Sequence, residues 1–254
     1  MLLSTNPAVR LYEILSKSKE LCSNNAKKQS KFRTVESVIA QVFDLDIKDD
    51  EKVFKAIIQI IQMIENIKKL TNKIESNSKD ELVKLLTNFE KQIMSLGLDD
   101  DIHKLDNIIT SEILISINGI ALALDVCTQY RNIEEENLTK FKENIKKLID
   151  ELEEVEINNE IRLFINNILY DLYIKIEQYK IYGIEGLKLS TEQGLGSIML
   201  NQRLCKEVSQ NKSFKESIKK ILSLLTSINT TISFAKNMIP IAQEANYIVS
   251  KFLD

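Results

Sequence analysis

The fold of this chain is decided by the stretch from Asp50 to Ile74, DEKVFKAIIQIIQMIENIKKLTNKI. Its apolar residues return at alternating spacings of four and three positions, which places them along one face of an α-helix. Asp49 or Asp50 is expected to cap the start of this helix. Further apolar positions widen the row, as expected for a helix with several packed neighbours. The row consists of Val53, Ile57, Ile60, Ile64, Ile67 and Ile74, with Thr71 in the one position that is not apolar.

The same periodicity covers most of the chain, which contains only six glycines and two prolines. We therefore predict an all-α fold, an antiparallel multi-helix bundle of long amphipathic helices. The first helix is expected from Asn6 to about Leu21, with Pro7 at its first position, followed by a polar connector from Ser23 to Arg33. A short helix is expected around Val35 to Phe43. One long helix is expected to begin at the acidic triplet 99–101 and to reach about Tyr130, because negative side chains suit the positive end of the helix dipole.

An acidic break from Asn132 to Asn137 is the best candidate for a domain boundary. We predict an N-terminal helical bundle region over residues 1–131. Residues 132–254 are predicted to hold a helical hairpin, a glycine-containing hinge and a long terminal helix that Pro240 kinks or ends. One continuous domain is the alternative.

Composition and charge limit the functional classes. The chain has 34 basic and 37 acidic residues and a net charge of −3, so no overall positive field favours nucleic acid. Cys22, Cys127 and Cys205 lie far apart and form no CxxC motif, which argues against a disulfide framework or a zinc site. The N-terminus lacks the basic-then-apolar order of a signal peptide. We therefore predict a cytoplasmic protein.

The sequence shows no arrangement that is typical of catalysis or of metal binding. His103 is the only histidine, and Asp100-x-x-His103 supplies at most half of a helical di-iron site. Because these residues lie at a predicted helix start, capping is the better interpretation. The acidic stretch Asp44 to Asp50 lacks the glycine of a calcium loop and carries Lys48 at a ligand position, so capping is again preferred. We predict no enzymatic activity, no cofactor and no metal.

Tyrosines and glycines concentrate in one part of the chain. Tyrosine is enriched in protein interfaces, although it is also common at the rim of an ordinary core, and this second interpretation stays open. The glycines are interpreted either as a helix end, a turn and a close helix contact, or as a hinge. Our predicted partner-binding site consists of Tyr170, Tyr173, Tyr179, Tyr182, Gly183 and Gly186.

Two stretches are poor in charge, Ile113 to Leu124 and Ile221 to Gln243. The first is too short to span a bilayer, and the second contains many Ser, Thr and Asn residues. Central bundle helices are the preferred interpretation. The alternative is a membrane-active helical effector, pore-forming or membrane-perturbing, that releases its C-terminal helix from Ile221 to Phe252 on a trigger.

Two short segments, residues 6–12 (NPAVRLY) and 179–187 (YKIYGIEGL), resemble segments of uncharacterised bacterial all-helical proteins associated with mobile elements and with defence against phage. The resemblance covers under a tenth of the chain and contains no catalytic motif. It implies a biological setting, an accessory role in a bacterial defence system. Together with the helical pattern, it favours a non-enzymatic interaction or scaffold protein that binds a protein partner or forms a homo-oligomer.

Overall fold

The computed structural model of the chain describes residues 2–27, 33–47, 49–74, 78–128, 130 and 133–235. Within these ranges it contains eleven α-helices and two strands of two residues each, which confirms the predicted all-α fold. The chain divides into two compact units. We call Ser4–Tyr130 the N-terminal unit, and Arg131–Asp254 together with Met1–Leu3 the C-terminal unit.

The described part of the N-terminal unit consists of six helices: α1 (Pro7–Lys27), α2 (Val35–Phe43), α3 (Asp50–Thr71), α4 (Lys79–Met94), α5 (Ile102–Ile108) and α6 (Ser111–Thr128). Four of them, α2, α3, α5 and α6, contact α1, so the core of this unit is built around the first helix. Pro7 occupies the first position of α1 and α2 has the predicted bounds, so both predictions are confirmed.

Asn6 fixes the start of α1 against α6. Its side chain is fully buried, and its Oδ1 accepts a hydrogen bond of 2.9 Å from the backbone N–H of Ala8. Its Nδ2 donates to the carbonyl oxygen of Ala121 over 2.9 Å and to Oδ1 of Asp125 over 2.8 Å. One residue thus caps a helix and joins it to a neighbour that lies more than a hundred positions away in the chain.

The first helix is longer than predicted. It continues to Lys27, six residues beyond the expected end at Leu21. The buried face runs on through Cys22 and Asn25, which continue the spacing of three and four residues with small or polar side chains. Hydropathy alone assigned these residues to a polar connector, so that prediction was wrong for residues 23–27.

The predicted single helix from the acidic triplet to Tyr130 is two helices, α5 and α6, bent by 53° at the break between them. The hydroxyl of Thr110 accepts a hydrogen bond of 3.2 Å from the backbone N–H of Ile113 and so caps the start of α6. A threonine before Ser111 and Glu112 is a helix-start signal, and it could have identified this break.

Lys68 of α3 and Glu90 of α4 form an ion pair at the contact between these helices. Both side chains are largely buried and have lost most of their hydration, so each charge is stabilised mainly by the opposite charge of its partner. The pair fixes the position of α4 on α3.

The C-terminal unit contains β1 (Leu2–Leu3), β2 (Ile133–Glu134), α7 (Glu135–Glu153), α8 (Asn159–Glu177), α9 (Tyr179–Leu200), α10 (Gln202–Gln210) and α11 (Lys212–Ala235). The two strands pair with each other, so the first residues of the chain belong to its second unit. One core of buried apolar residues extends from Ile133 to Ile232 and receives side chains from all five helices.

Side-chain contacts fix the directions of α8 and α9. The hydroxyl of Ser190 donates to Oδ2 of Asp171, and a Cβ added at Gly194 would lie 2.8 Å from Cγ2 of Ile168. Residue numbers therefore rise along α8 as they fall along α9, and the two helices run in opposite directions. Gly194 allows the two backbones to approach closely here.

The glycine-containing segment is mostly helical. Within α9, the backbone dihedral angles leave the helical region only at Gly183, and residues 184–200 form a regular helix. A turn at Gly183 and a close helix contact at Gly194 match the first interpretation of these glycines. The alternative interpretation, in which this segment is a hinge between the hairpin before it and the helix after it, stays a prediction.

The terminal helix α11 buries an apolar row from Phe214 to Ile232. Its described part ends at Ala235. The predicted effect of Pro240 lies outside the described residues.

Candidate protein-interaction surface

The four predicted tyrosines do not form one exposed surface. Tyr179 is 3% exposed and belongs to the core of the C-terminal unit, and Tyr173 packs against the edge of that core. Tyr182 is half-buried, and Nζ of Lys175 lies 3.7 Å from the centroid of its ring. Of the four, Tyr170 alone is more than half exposed, at 53%. The core-rim interpretation therefore describes Tyr173 and Tyr179 better than the interface interpretation.

The two predicted glycines shape the entry into α9. Gly183 has φ 59° and ψ −164°, a backbone conformation that residues other than glycine rarely adopt. At Gly186 an added Cβ would lie 2.6 Å from Cβ of Tyr182, so the absence of a side chain leaves room for this tyrosine over the next turn. Both glycines act on the shape of the helix, and partner binding through them stays a prediction.

An apolar surface lies instead on the outer side of α8 and α9. Five of its eight positions carry large apolar side chains, four of them aliphatic and one a tyrosine, and all five are exposed to solvent. Neither helix places a charged residue within its row. On both helices the positions are spaced by four, three and four residues, which puts each row on one face. We call this surface the α8–α9 face; it consists of Leu163, Asn167, Tyr170 and Ile174 on α8, and of Leu189, Gln193, Gly196 and Leu200 on α9.

Both rows point away from the same core. On α8 the buried positions include Ile165 and Leu172, and on α9 they include Leu187 and Ile198. Each exposed row lies on the opposite side of its helix from these residues. Because α8 and α9 are packed side by side, the two rows form one surface that is two helices wide.

The sequence prediction included one residue of this surface, Tyr170. It did not include the aliphatic residues. The signal that could have found them is a second apolar row opposite the first on the same helix, such as Leu163 and Ile174 opposite Ile165 and Leu172.

A second exposed apolar row lies on α6 in the N-terminal unit. It contains Ile115, Leu122 and Val126, with Gly119 between them in the same spacing. The opposite side of α6 is buried. This helix therefore accounts for the first charge-poor stretch, as a bundle helix with one apolar side left in solvent.

A groove of about 520 Å³ separates α7 from α11. Three lysines line it, but Lys220 is paired with Glu151 at 2.8 Å and Lys219 with Glu216 at 3.0 Å. These ion pairs neutralise most of the positive charge that an anionic ligand would use. The groove is lined by Phe141, Asn144, Lys147, Leu148, Glu151, Lys219, Lys220, Ser223, Leu224 and Ser227.

The acidic residues at helix starts act as caps. Oδ1 of Asp101 accepts a hydrogen bond of 2.9 Å from the backbone N–H of His103, and Oδ1 of Asp49 accepts one of 3.1 Å from Lys52. The capping interpretation is therefore confirmed for Asp49. At the second helix start the cap is Asp101 rather than Asp100, whose carboxylate accepts a hydrogen bond of 2.6 Å from the backbone N–H of Gly97 and pairs with Lys104 at 2.7 Å. In the parts of the chain that the structure describes, no group of three or more His, Cys, Asp or Glu side chains is placed to hold a metal ion.

The three cysteines are free, and they differ in their surroundings. Cys22 is buried, whereas Cys127 is exposed. Burial, and after it the nearby negative charge of Asp106, raises the pKa of the Cys22 thiol from its ordinary value of 9.0 to about 11. Cys22 is therefore an unreactive core residue, and Cys127 is the most exposed of the three thiols.

Within the described ranges, no helix by itself meets the length and hydropathy required of a bilayer span, whereas α5 and α6 meet them as a bent pair. No protein-family model, curated protein or solved structure matches the chain.

Proposed function

We propose that this protein is a non-enzymatic helical interaction protein that binds protein chains through the α8–α9 face. The supporting observation is that large apolar side chains are exposed on each of two adjacent helices, with no charged residue within either row. An exposed apolar patch of this kind commonly marks a surface that another molecule covers.

The magnitudes favour the whole face over a single row. Full burial of a large apolar side chain stabilises by about 1.5–3 kcal/mol, so covering these partly exposed ones would contribute about 1–2 kcal/mol each. Three side chains on α8 alone then give about 3–6 kcal/mol, which reaches only the lower end of the association cost of about 4–15 kcal/mol. All five side chains of the face give about 5–10 kcal/mol, which extends to the middle of that range.

The proposal includes a biological setting. The resemblance of segments 6–12 and 179–187 to bacterial helical proteins supports an accessory role in a defence system. Three free cysteines support a reducing cytoplasmic compartment.

The test is a comparison of native assemblies purified from the protein's own cells. Leu163→Glu with Leu200→Glu puts two charges on the α8–α9 face at side chains that are 64% and 84% exposed, so the fold should tolerate them. Val126→Glu, at a side chain that is 81% exposed on α6, is the matched control.

We expect native mass measurement to show the wild-type assembly lost in the double variant and kept in the control. Unchanged far-ultraviolet circular dichroism would confirm that both variants are folded. A wild-type chain that is monomeric in its cells, or an assembly that survives the double substitution, would contradict the proposal.

The membrane-active alternative stays a prediction. It requires release of the segment from Ile221 to Phe252, of which residues 236–252 lie outside the described residues. In the described part, Ile221, Leu225 and Ile228 are buried in the core of the C-terminal unit. Leakage of liposomes that depends on this segment would support the alternative.

A further inference from the structure

We infer that the α8–α9 face binds the same face of a second copy of this chain, forming a two-fold symmetric dimer in which α9 lies opposite α9. This dimer rests on the proposed function of the face in binding protein. It adds the identity of the occupant and the residues that meet.

The spacing of the exposed positions is self-complementary. Four, three and four residues read the same in both directions along a helix. When α9 faces an oppositely directed α9, Leu189 of one copy therefore lies opposite Leu200 of the other, and the reverse contact forms at the same time. The same relation on α8 places Leu163 opposite Ile174.

Gly196 supports this arrangement. In the same register it lies opposite Gln193 of the second copy. A Cβ added at Gly196 would meet no described atom within 4 Å, so there is open space above this glycine. The longer glutamine side chain can occupy that space and lie along the apolar rows.

Charge does not oppose contact between two copies. Two carboxylates next to the rows, Asp171 between them on α8 and Glu192 on α9, each have a lysine 3.7 Å away on their own helix, Lys175 and Lys188 respectively. Two copies therefore bring neutral rows together, with these carboxylates paired to lysines beside them.

The size of the face meets the requirement for a dimer. The 19 residues of α8 extend over about 28 Å and two helices are about 20 Å wide, which gives roughly 500 Å² per copy and about 1,000 Å² in the dimer. A stable interface needs at least about 1,000 Å² in total. The single row on α6, with 18 residues, gives about half this area, so the α8–α9 face is preferred.

The first experiment is sedimentation equilibrium of the recombinant full chain at concentrations up to about 100 μM, because interfaces of about 1,000 Å² lie at the weak end of the range. We expect wild type at twice the chain mass of 29.2 kDa, and a dissociation constant raised at least 30-fold by Leu200→Glu. Val126→Glu should leave the dissociation constant unchanged. A monomeric wild type, or a dimer that Leu200→Glu does not weaken, would overturn the inference.

The second experiment tests the register. In a background with Cys127→Ser and Cys205→Ser, a Leu189→Cys chain and a Leu200→Cys chain of different mass are mixed and oxidised. We expect a disulfide between the two different chains and almost none within either sample alone, because like positions are about 16 Å apart, beyond the reach of a disulfide. Equal cross-linking in the unmixed samples would overturn the register.

Failure of the dimer and failure of the proposed function are distinguishable. If purified wild type is monomeric but the assembly from its own cells is lost in Leu163→Glu with Leu200→Glu, the occupant is another protein and the second-copy inference is wrong. If that assembly also survives, both are wrong.

Discussion

The close contact between α8 and α9 gives a prediction in which two glycines of one helix respond in opposite ways to the same substitution. Alanine is favoured over glycine inside a helix by about 1 kcal/mol, and this gain applies at Gly194 and at Gly196 alike. At Gly194, however, the new Cβ would lie 2.8 Å from Cγ2 of Ile168 and 3.6 Å from Leu225. Because Cγ2 sits on a branched Cβ, rotation of the side chain does not easily remove it.

The expected free energies follow from these contacts. Overpacking of a core contact costs about 1–3 kcal/mol, so Gly194→Ala should lower the free energy of unfolding by up to about 2 kcal/mol after the helix gain is subtracted. Gly196→Ala should raise it by up to about 1 kcal/mol. The difference of about 1–3 kcal/mol between the two variants measures the contact itself.

Urea unfolding followed by circular dichroism gives this difference, with all variants at one protein concentration because self-association would add to the apparent stability. Ile168→Leu removes the branched methyl while conserving volume, so combining it with Gly194→Ala should recover part of the loss. Equal stability of the two alanine variants, or no coupling between Gly194→Ala and Ile168→Leu, would refute the reasoning.

Three other predictions concern the N-terminal unit. Asn6→Ala removes a cap and both hydrogen bonds to α6, so it should lower the free energy of unfolding in urea by about 2–3 kcal/mol. Lys68→Met leaves the buried Glu90 carboxylate without its partner and should cost about 3–5 kcal/mol in the same assay, whereas adding Glu90→Leu should restore most of it; equal stability of single and double variants would contradict the pair's role. Because the raised pKa makes the folded state hold the Cys22 proton longer than the unfolded state, stability should fall as pH rises from about 9 to about 11, by up to about 2 kcal/mol. Cys22→Ala should lose that part of the pH dependence in alkaline thermal melts, and a thiol reagent should label Cys127 before Cys22 in the native protein.

Periodicity predicted the helices because each of them buries one side. Residues that face a core return every three or four positions whatever the partner is, so the row of α3 could be identified without knowing what covers it. Capping was predictable for a similar reason. The interaction of Asp49 with the first turn of α3 lies within four residues of sequence and needs no other part of the chain.

Boundaries and surfaces were harder to predict, because they depend on neighbours distant in sequence. Cys22 and Asn25 continue α1 only because other helices cover them. Tyr179 is buried and Tyr170 is exposed because of how the C-terminal helices pack. Since both residues are tyrosines, residue type alone could not predict this difference. An apolar residue on a helix with several neighbours could face any of them, or solvent.

The sequence by itself determined that this protein is helical, roughly where its helices lie, and that it lacks the residue patterns of common metal and catalytic sites. The tertiary structure decided which apolar rows are covered and which remain exposed. It also decided that the first residues of the chain pair with β2 and that Gly194 brings two helices together. The physical reason is that hydrophobic burial is non-directional: a repeating pattern specifies that a side should be covered, and packing alone specifies by what.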